Sequence, residues 1–287
     1  MAQNSSVTDQ YMSVINSDAL VVPVKAATVF AAHEASPFLS GNIIPVVNAP
    51  NGVLQVPELT SVDATKVSSE ADPGVDIAVT TPGGTKNTIV ANLYAARTVV
   101  RDLGSLDPQE IGRILGNSVS RKFDIDCIAA MTGMTEQENA ESSRDLTVKE
   151  LMKAAGNIRA NGETGKLFAL VNAAVYAELM NDIGSSAFAG SSLQNSVYSG
   201  GFFGTIAGID CFTTSYLNDT NTGLSSHNVQ AAVFSQDAFR IAMQKNVDVA
   251  IAPRIEAAGR DIVATLHAGV AAIDAANRGV LIVDENA

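Results

Sequence analysis

The chain has 287 residues, enough to bury a substantial core in one large domain or two modest ones, and its 46% apolar and 17% charged residues lie far from the composition of a disordered chain. A net charge of −12 with only 18 lysines and arginines leaves no basic footprint for neutralising phosphates, which excludes a protein built to grip nucleic acid. Cys127 and Cys211 form no C-x-x-C pair, so neither a disulfide framework nor a thiolate metal site is expected, and a reduced, intracellular origin is the simpler reading.

Residues 1–40 hold scattered apolar clusters around Val21-Val22-Pro23-Val24 without a sustained period, the pattern of an extended arm that packs on something else. The run Ala19 to Ala32 contains Pro23 and Lys25 after a polar, uncharged start, unlike a signal peptide. No stretch of the chain reaches the roughly 18 apolar residues of a membrane span. From Gly41 to Val100 short β-branched runs (Ile43-Ile44, Val46-Val47, Val53 to Val56, Val75 to Val79, Thr88 to Val90) alternate with the turn signals Asn51-Gly52, Asp72-Pro73-Gly74 and Pro82-Gly83-Gly84. That spacing predicts a long hairpin, poor in aromatic residues and marginal as a lone ribbon in water.

The clearest element is a helix over about 107–132, with Asp107 as N-cap, Pro108 at the first helical position, Glu110 at the capping-box position and no strong breaker before Gly133. About 25 residues at 1.5 Å each give roughly 37 Å. At 100° per residue Ile111, Ile114, Leu115, Val119, Ile125 and Ala129 share one face, with Arg113, Asn117, Ser120 and Asp124 opposite. The acidic stretch Glu136 to Glu141 reads as a solvated loop, and Thr147 to Glu150 is a second capping box before a helix carrying Leu151, Ala154, Ala155 and Ile158. Next come a buried strand at Leu167 to Val171, a helix at Ala173 to Met180 and a Gly/Ser-rich loop at Gly184 to Gly204. Strands follow at Thr205 to Thr214 and Ala231 to Phe234, then a short helix around Asp237 to Arg240 and a strand at Val247 to Ile251. Two tail strands, Ile262 to Ile273 and Val280 to Val283, meet across Asn277-Arg278-Gly279.

Motifs that would carry chemistry are incomplete. Gly162-Glu163-Thr164-Gly165-Lys166 imitates a phosphate loop, but Ala160 and Leu167 stand where Gly and Ser or Thr are required, and it follows a helix rather than a strand; a plain turn with Gly162 ending the helix is the better reading. Asp219-Thr220-Asn221-Thr222-Gly223 imitates a calcium loop with its Gly one place early and Gln230 where a bidentate Glu belongs, so it reads as a polar surface turn. Asp124 and Asp126 lie some 200° apart on their helix and cannot share a metal or a proton; Asp126 faces Lys122 instead. His33, His227 and His267 have neither metal-ligand spacing nor a nucleophile motif, and Gly201-Phe202-Phe203-Gly204 lacks the order of a dinucleotide site. No catalytic, cofactor-binding or metal residue is therefore assigned, and no cofactor is expected.

An arm, a long β excursion, a capped long helix, a small α/β region broken by a Gly-rich loop and a return of strands together resemble the tailed-phage major capsid family, the Hong Kong 97 type of α+β fold, over nearly the whole chain. Local matches are Gly204-Thr205-Ile206-Ala207-Gly208-Ile209-Asp210-Cys211 with Thr214-Ser215, and His267-Ala268-Gly269-Val270-Ala271 leading to Asn277-Arg278-Gly279-Val280-Leu281-Ile282. The resemblance implies an N-arm (1–40), an extended β-hairpin loop (41–98), a peripheral domain with a spine helix (99–146 and 247–287) and an axial domain (147–246). It also implies a non-enzymatic virion subunit, made in the cytoplasm of a bacterial host, that self-assembles through pentamers and hexamers into an icosahedral shell. Such a shell encloses double-stranded DNA without sequence-specific binding and without a membrane. Portal, scaffolding and decoration proteins are the other partners it suggests, although no charged helical extension of the built-in scaffold kind is present. No motif marks a cross-linking residue, though Lys66 and Lys86 lie in the loop region.

The same fold would serve an encapsulin-like bacterial nanocompartment holding an enzyme cargo. An α/β enzyme using Asp210, Cys211 and His227 is disfavoured because these residues sit on separate segments with no oxyanion or phosphate cradle. A tail or baseplate subunit is disfavoured by the long helix.

Overall fold

A computed structural model describes residues 22–33, 36–39, 43–59, 81, 83–101, 108–140, 145–184, 204–223, 228–254, 256 and 259–284. Residues 22–33 form a helix, α1. Then follow β1 (Val46–Asn48), β2 (Val53–Leu59), β3 (Gly84–Val90), β4 (Asn92–Arg101), α2 (Pro108–Ala129), β5 (Thr135–Glu138), α3 (Val148–Ala160), β6 (Leu167–Asn172) and α4 (Tyr176–Gly184). The chain continues through β7 (Thr205–Ile206), β8 (Ile209–Thr214), β9 (Asn228–Ser235), β10 (Phe239–Arg254), β11 (Gly259–Ala272) and β12 (Gly279–Asp284). It is a mixed α+β architecture, as the sequence indicates.

The strands form a four-stranded sheet β1-β10-β11-β4, a six-stranded sheet β5-β12-β9-β6-β8-β7 and a separate ribbon β2-β3. The spine helix α2 crosses the four-stranded sheet. Alternate residues of β11 (Ile262, Ala264, Leu266, Ala268) share one core with Ile111, Leu115, Val119, Phe123 and Ile128 of α2. A turn of 3₁₀ helix, Ala130–Gly133, ends the element where the sequence places its stop. Asp107, the expected N-cap, lies outside the described residues.

In the six-stranded sheet, β6 lies between β9 and β8, and five of its residues in a row are buried. Their period of two resolves them: Phe168 and Leu170 join the spine-helix core, while Leu167, Ala169 and Val171 join a second core with Leu151, Ala154 and Ile158 of α3 and Leu179 of α4. The sheet is thus a wall with a packed layer on each side.

Thr147 caps α3, its hydroxyl accepting from the Glu150 amide at 3.4 Å. The Glu150 carboxylate turns away from the cap and accepts from the Gln137 amide nitrogen at 2.8 Å. The open first turn is closed from outside, since Asp182 of α4 accepts from the Val148 amide at 2.8 Å. We expect Thr147→Ala to cost only about 0.5–1 kcal/mol in urea unfolding and Asp182→Ala at least as much. A Thr147→Ala cost several times larger with a neutral Asp182→Ala would contradict this division of labour.

Several sequence readings are corrected. The stretch read as an extended arm holds helix α1, for Pro23 sits within the first turn, where its missing N–H costs nothing. The stretch read as a solvated acidic loop contains β5, an edge strand parallel to β12, with Gln137 buried between outward Glu136 and Glu138. On α2, Ile114 is 57% exposed and Ala129 is also exposed, whereas Ser120 and Asp124 are buried, because α1 and the turn at 36–39 cover a second side of the helix. The expected Val247 to Ile251 strand is the middle of the sixteen-residue β10, and the helix before it shrinks to the 3₁₀ turn Gln236–Ala238. The tail strands enter different sheets: β11 pairs with β10 and β4, whereas β12 pairs with β5 and β9. Residues 135–138 and 279–284 thus lie in one sheet with β6, β7, β8 and β9. The Val75 to Val79 strand and nearly all of the Gly184 to Gly204 loop lie outside the described residues.

Candidate assembly surfaces

The side chains that might have carried chemistry are occupied otherwise. Asp210 accepts from the Lys166 ammonium at 2.6 Å and from the Thr205 hydroxyl at 2.8 Å, and these bonds hold its carboxyl below the usual range. Beside it Cys211 is 1% exposed, and burial pushes its thiol up to about 12, far from a nucleophile's range. Burial likewise raises the Cys127 thiol well above its ordinary value. His227 lies outside the described residues. His33 meets the Asn246 side chain at 3.4 Å, and His267 sits within β11 opposite Leu93.

The loop at Gly162 to Lys166 is the plain turn read from sequence. Gly162 takes a left-handed φ of +89° after α3, and Lys166 lies 5.1 Å from the Phe168 ring centroid. The expected surface turn at Asp219 to Gly223 is a one-turn helix, Asp219–Thr222, capped by the Asn218 side chain at 2.9 Å with Thr222 buried. The Lys122–Asp126 pair forms at 2.8 Å, and Asp126 also accepts from the Tyr94 hydroxyl at 2.8 Å. Among the described residues no group of three or more His, Cys, Asp or Glu side chains is placed to hold a metal ion. None of their helices is long and apolar enough to cross a membrane.

Among the described residues, several large apolar side chains are exposed. On α1, Val22 and Phe30 are each 68% exposed, and at the base of the ribbon Val90 is 55% and Leu93 is 61% exposed. Strands β2 and β3 pair only with each other among the described residues, from Val53 opposite Val90 to Leu59 opposite Gly84. At the ribbon's base Ile89, Leu54 and Val56 pack on Ala49, Ala242 and Ala271. The chain turns there from β3 into β4 over Gly269, where a Cβ would stand 2.1 Å from the Val90 carbonyl oxygen. This close passage seats the base of the ribbon on β11, and the Asn87 side chain donates to the Ile273 carbonyl at 3.3 Å.

The seam between α1 and α2 went unread in the sequence. Cβ atoms on Gly112 and Gly116 would meet the backbone carbonyls of Val24 at 2.6 Å and Thr28 at 2.4 Å, so the two helices touch backbone to backbone. Lys25 of α1 reaches Asp248 at 2.6 Å, and Lys245 joins the same carboxylate at 2.8 Å. These two cations hold the Asp248 carboxyl well below the usual range. After α1, the Ser36 hydroxyl donates to the buried Asp124 carboxylate and also accepts from the Leu39 amide at 3.3 Å. Two glycines four apart on a helix, with Ala27 and Ala31 four apart upstream, were the available signal.

Neither a family model nor a curated protein matches the sequence. Solved structures do match the fold. The capsid structure of the cyanophage P-SCSP1u aligns with a TM-score of 0.61 at 13% identity, over 86% of this chain and 88% of that one. A structure of Mycobacterium phage Ogopogo aligns at 0.65 and 14% identity, over 87% and 92%. The virus-like particle from Pyrococcus furiosus aligns at 0.63 and 11% identity, over 91% and 98%. With matches of this extent, the chain carries the fold of phage capsid proteins.

Proposed function

We propose that this protein is the major capsid protein of a tailed phage, a non-enzymatic subunit of the Hong Kong 97 type that builds an icosahedral shell from pentamers and hexamers of itself. The observation that carries the reading is the alignment with a phage capsid over 86% of this chain and 88% of its counterpart. The exposed ribbon and the apolar face of α1 support it.

In this reading residues 1–40 are the N-arm and 41–98 the extended loop. Residues 99–146 and 247–287 make the peripheral domain with the spine helix, and 147–246 the axial domain. Distinct patches on one subunit make heterologous contacts, which close into rings around an axis and then tile. A subunit held weakly at many edges gains the avidity of an array, so each contact can stay reversible while errors are corrected. The net charge of −12 suits an inner wall along which DNA slides without sequence-specific grip. The virion is the expected location, after synthesis in the host cytoplasm, with portal, scaffolding and decoration proteins as partners.

Electron microscopy of the purified full chain tests the proposal. Closed shells of uniform diameter are expected, with nuclease-protected DNA in particles recovered from lysates of infected cells. Open tubes would indicate a tail component, and shells filled with a protein cargo would indicate a nanocompartment of the encapsulin kind. A compact, protease-resistant monomer that forms no particle at any concentration would end the reading.

A further inference from the structure

We propose that Asp124 and Ser36 form a proton-operated latch, which holds residues 22–33 and 36–39 against the spine helix while the carboxyl is protonated and loosens them when it ionises. This goes beyond the shell reading and does not rest on it.

The geometry sets the latch at a hinge. Ser36 follows α1, its amide donates to the Ala32 carbonyl at 3.2 Å, and its hydroxyl joins Asp124 to the Leu39 amide. Phe38 and Leu39 beyond it are buried in the spine-helix core, so one hydroxyl–carboxyl contact fixes where the chain turns. Asp124 is 2% exposed yet also lines a cleft with a volume of about 430 Å³, which gives a proton a route to the site.

Among the described residues no cation pairs with Asp124. Arg121 and Tyr216 line the same cleft, but the guanidinium carbon lies 5.7 Å over the Tyr216 ring, and no ion pair links Arg121 to Asp124 among the described residues. On the same helix Asp126 is turned to Lys122 and Tyr94, and the buried Cys127 supplies no positive charge. In α1, Lys25 is committed to Asp248 and His33 meets Asn246. The described turn residues after Ser36, Pro37 to Leu39, carry no charge.

A carboxylate buried with one hydroxyl partner is costly, and burial raises Asp124 to about 7, the Ser36 bond opposing only part of that rise. The sign follows from linkage. The docked state holds its proton up to about pH 7 whereas the released segment loses it near the ordinary value of about 4, so docking weakens as pH rises through that window and is weakest above it. Ser36 accompanies the change in either form, since a protonated carboxyl still offers its carbonyl oxygen to the hydroxyl.

Hydrogen exchange on the full chain, kept unassembled and repeated on particles where they form, reads the latch directly. Protection factors of residues 22–33 and 36–39 should fall roughly tenfold or more from about pH 5.5 to about pH 8. Asp124→Asn keeps the acceptor and removes the titration, so its protection should stay high and flat across the range. Ser36→Ala removes the bond that favours the charged form and should move the transition to higher pH. A Carbon-13 titration of the Asp124 carboxyl in the unmutated chain gives a check that needs no variant. A midpoint near the ordinary carboxylate value, or an Asp124→Asn profile that keeps the wild-type pH dependence, would overturn the latch.

Discussion

Gly269→Ala should lower the stability of the isolated subunit by about 3 kcal/mol and abolish particle formation. The added methyl would sit 2.1 Å from the Val90 carbonyl oxygen and 2.8 Å from its carbon, both backbone atoms that cannot rotate aside. Overpacking of this kind costs about 1–3 kcal/mol when neighbours can shift, and here the neighbour is the corner at which β3 becomes β4. Relief requires the ribbon's base to lift from Ala242 and Ala271, which re-aims the ribbon as a whole. Thermal unfolding should show Tm falling by about 6–12 °C, with no shells in micrographs. Gly156→Ala is the matched control, because nothing lies within 4 Å of the added Cβ in the middle of α3. It should raise stability by about 0.5–1 kcal/mol. A Gly269→Ala protein with unaltered Tm that still builds shells would show that the corner has slack the distances do not suggest.

Phe234→Ala is the second large effect, and it concerns the core. Phe234 is fully buried, stands edge-on to Phe239 with centroids 5.5 Å apart, and leans on Phe168 at 6.4 Å. Phe234 belongs to β9 in the six-stranded sheet and Phe239 opens β10 in the four-stranded one, so the pair fastens one sheet to the other. Removing the ring deletes transfer energy and leaves a void that rigid strands cannot fill, a loss of about 3–5 kcal/mol. Urea unfolding should show the midpoint falling with little change in slope. A loss under about 1 kcal/mol would mean that the two sheets are held elsewhere.

Elements whose signals are local were legible in the sequence. Pro108 at the start and the stop at Gly133 bound α2 and its 3₁₀ turn, Thr147 with Glu150 marked α3, and the apolar run Leu167 to Val171 marked β6. Elements decided by a distant partner were not. Residues 22–33 are helical because Gly112 and Gly116 leave a groove for them eighty residues later in the chain. Glu136 and Glu138 read as loop because outward charges are also what an edge strand carries to discourage unwanted pairing. Asp124 read as solvent-facing because a carboxyl normally is, and only the turn at Ser36 reverses that. Of the proposed assembly surfaces, the ribbon was visible through its turn signals and β-branched runs, whereas the seat of its base depends on Gly269, whose neighbour Val90 lies far away in sequence.

Because neighbouring side chains of β6 serve different cores, the strand works as an odd–even register. Leu170→Ala would be felt chiefly beneath the spine helix, and Val171→Ala chiefly beneath α3 and α4, although the two positions share a peptide bond. A family of single truncations along these six residues would therefore separate disturbance of one lobe from disturbance of the other, with the backbone between them unchanged.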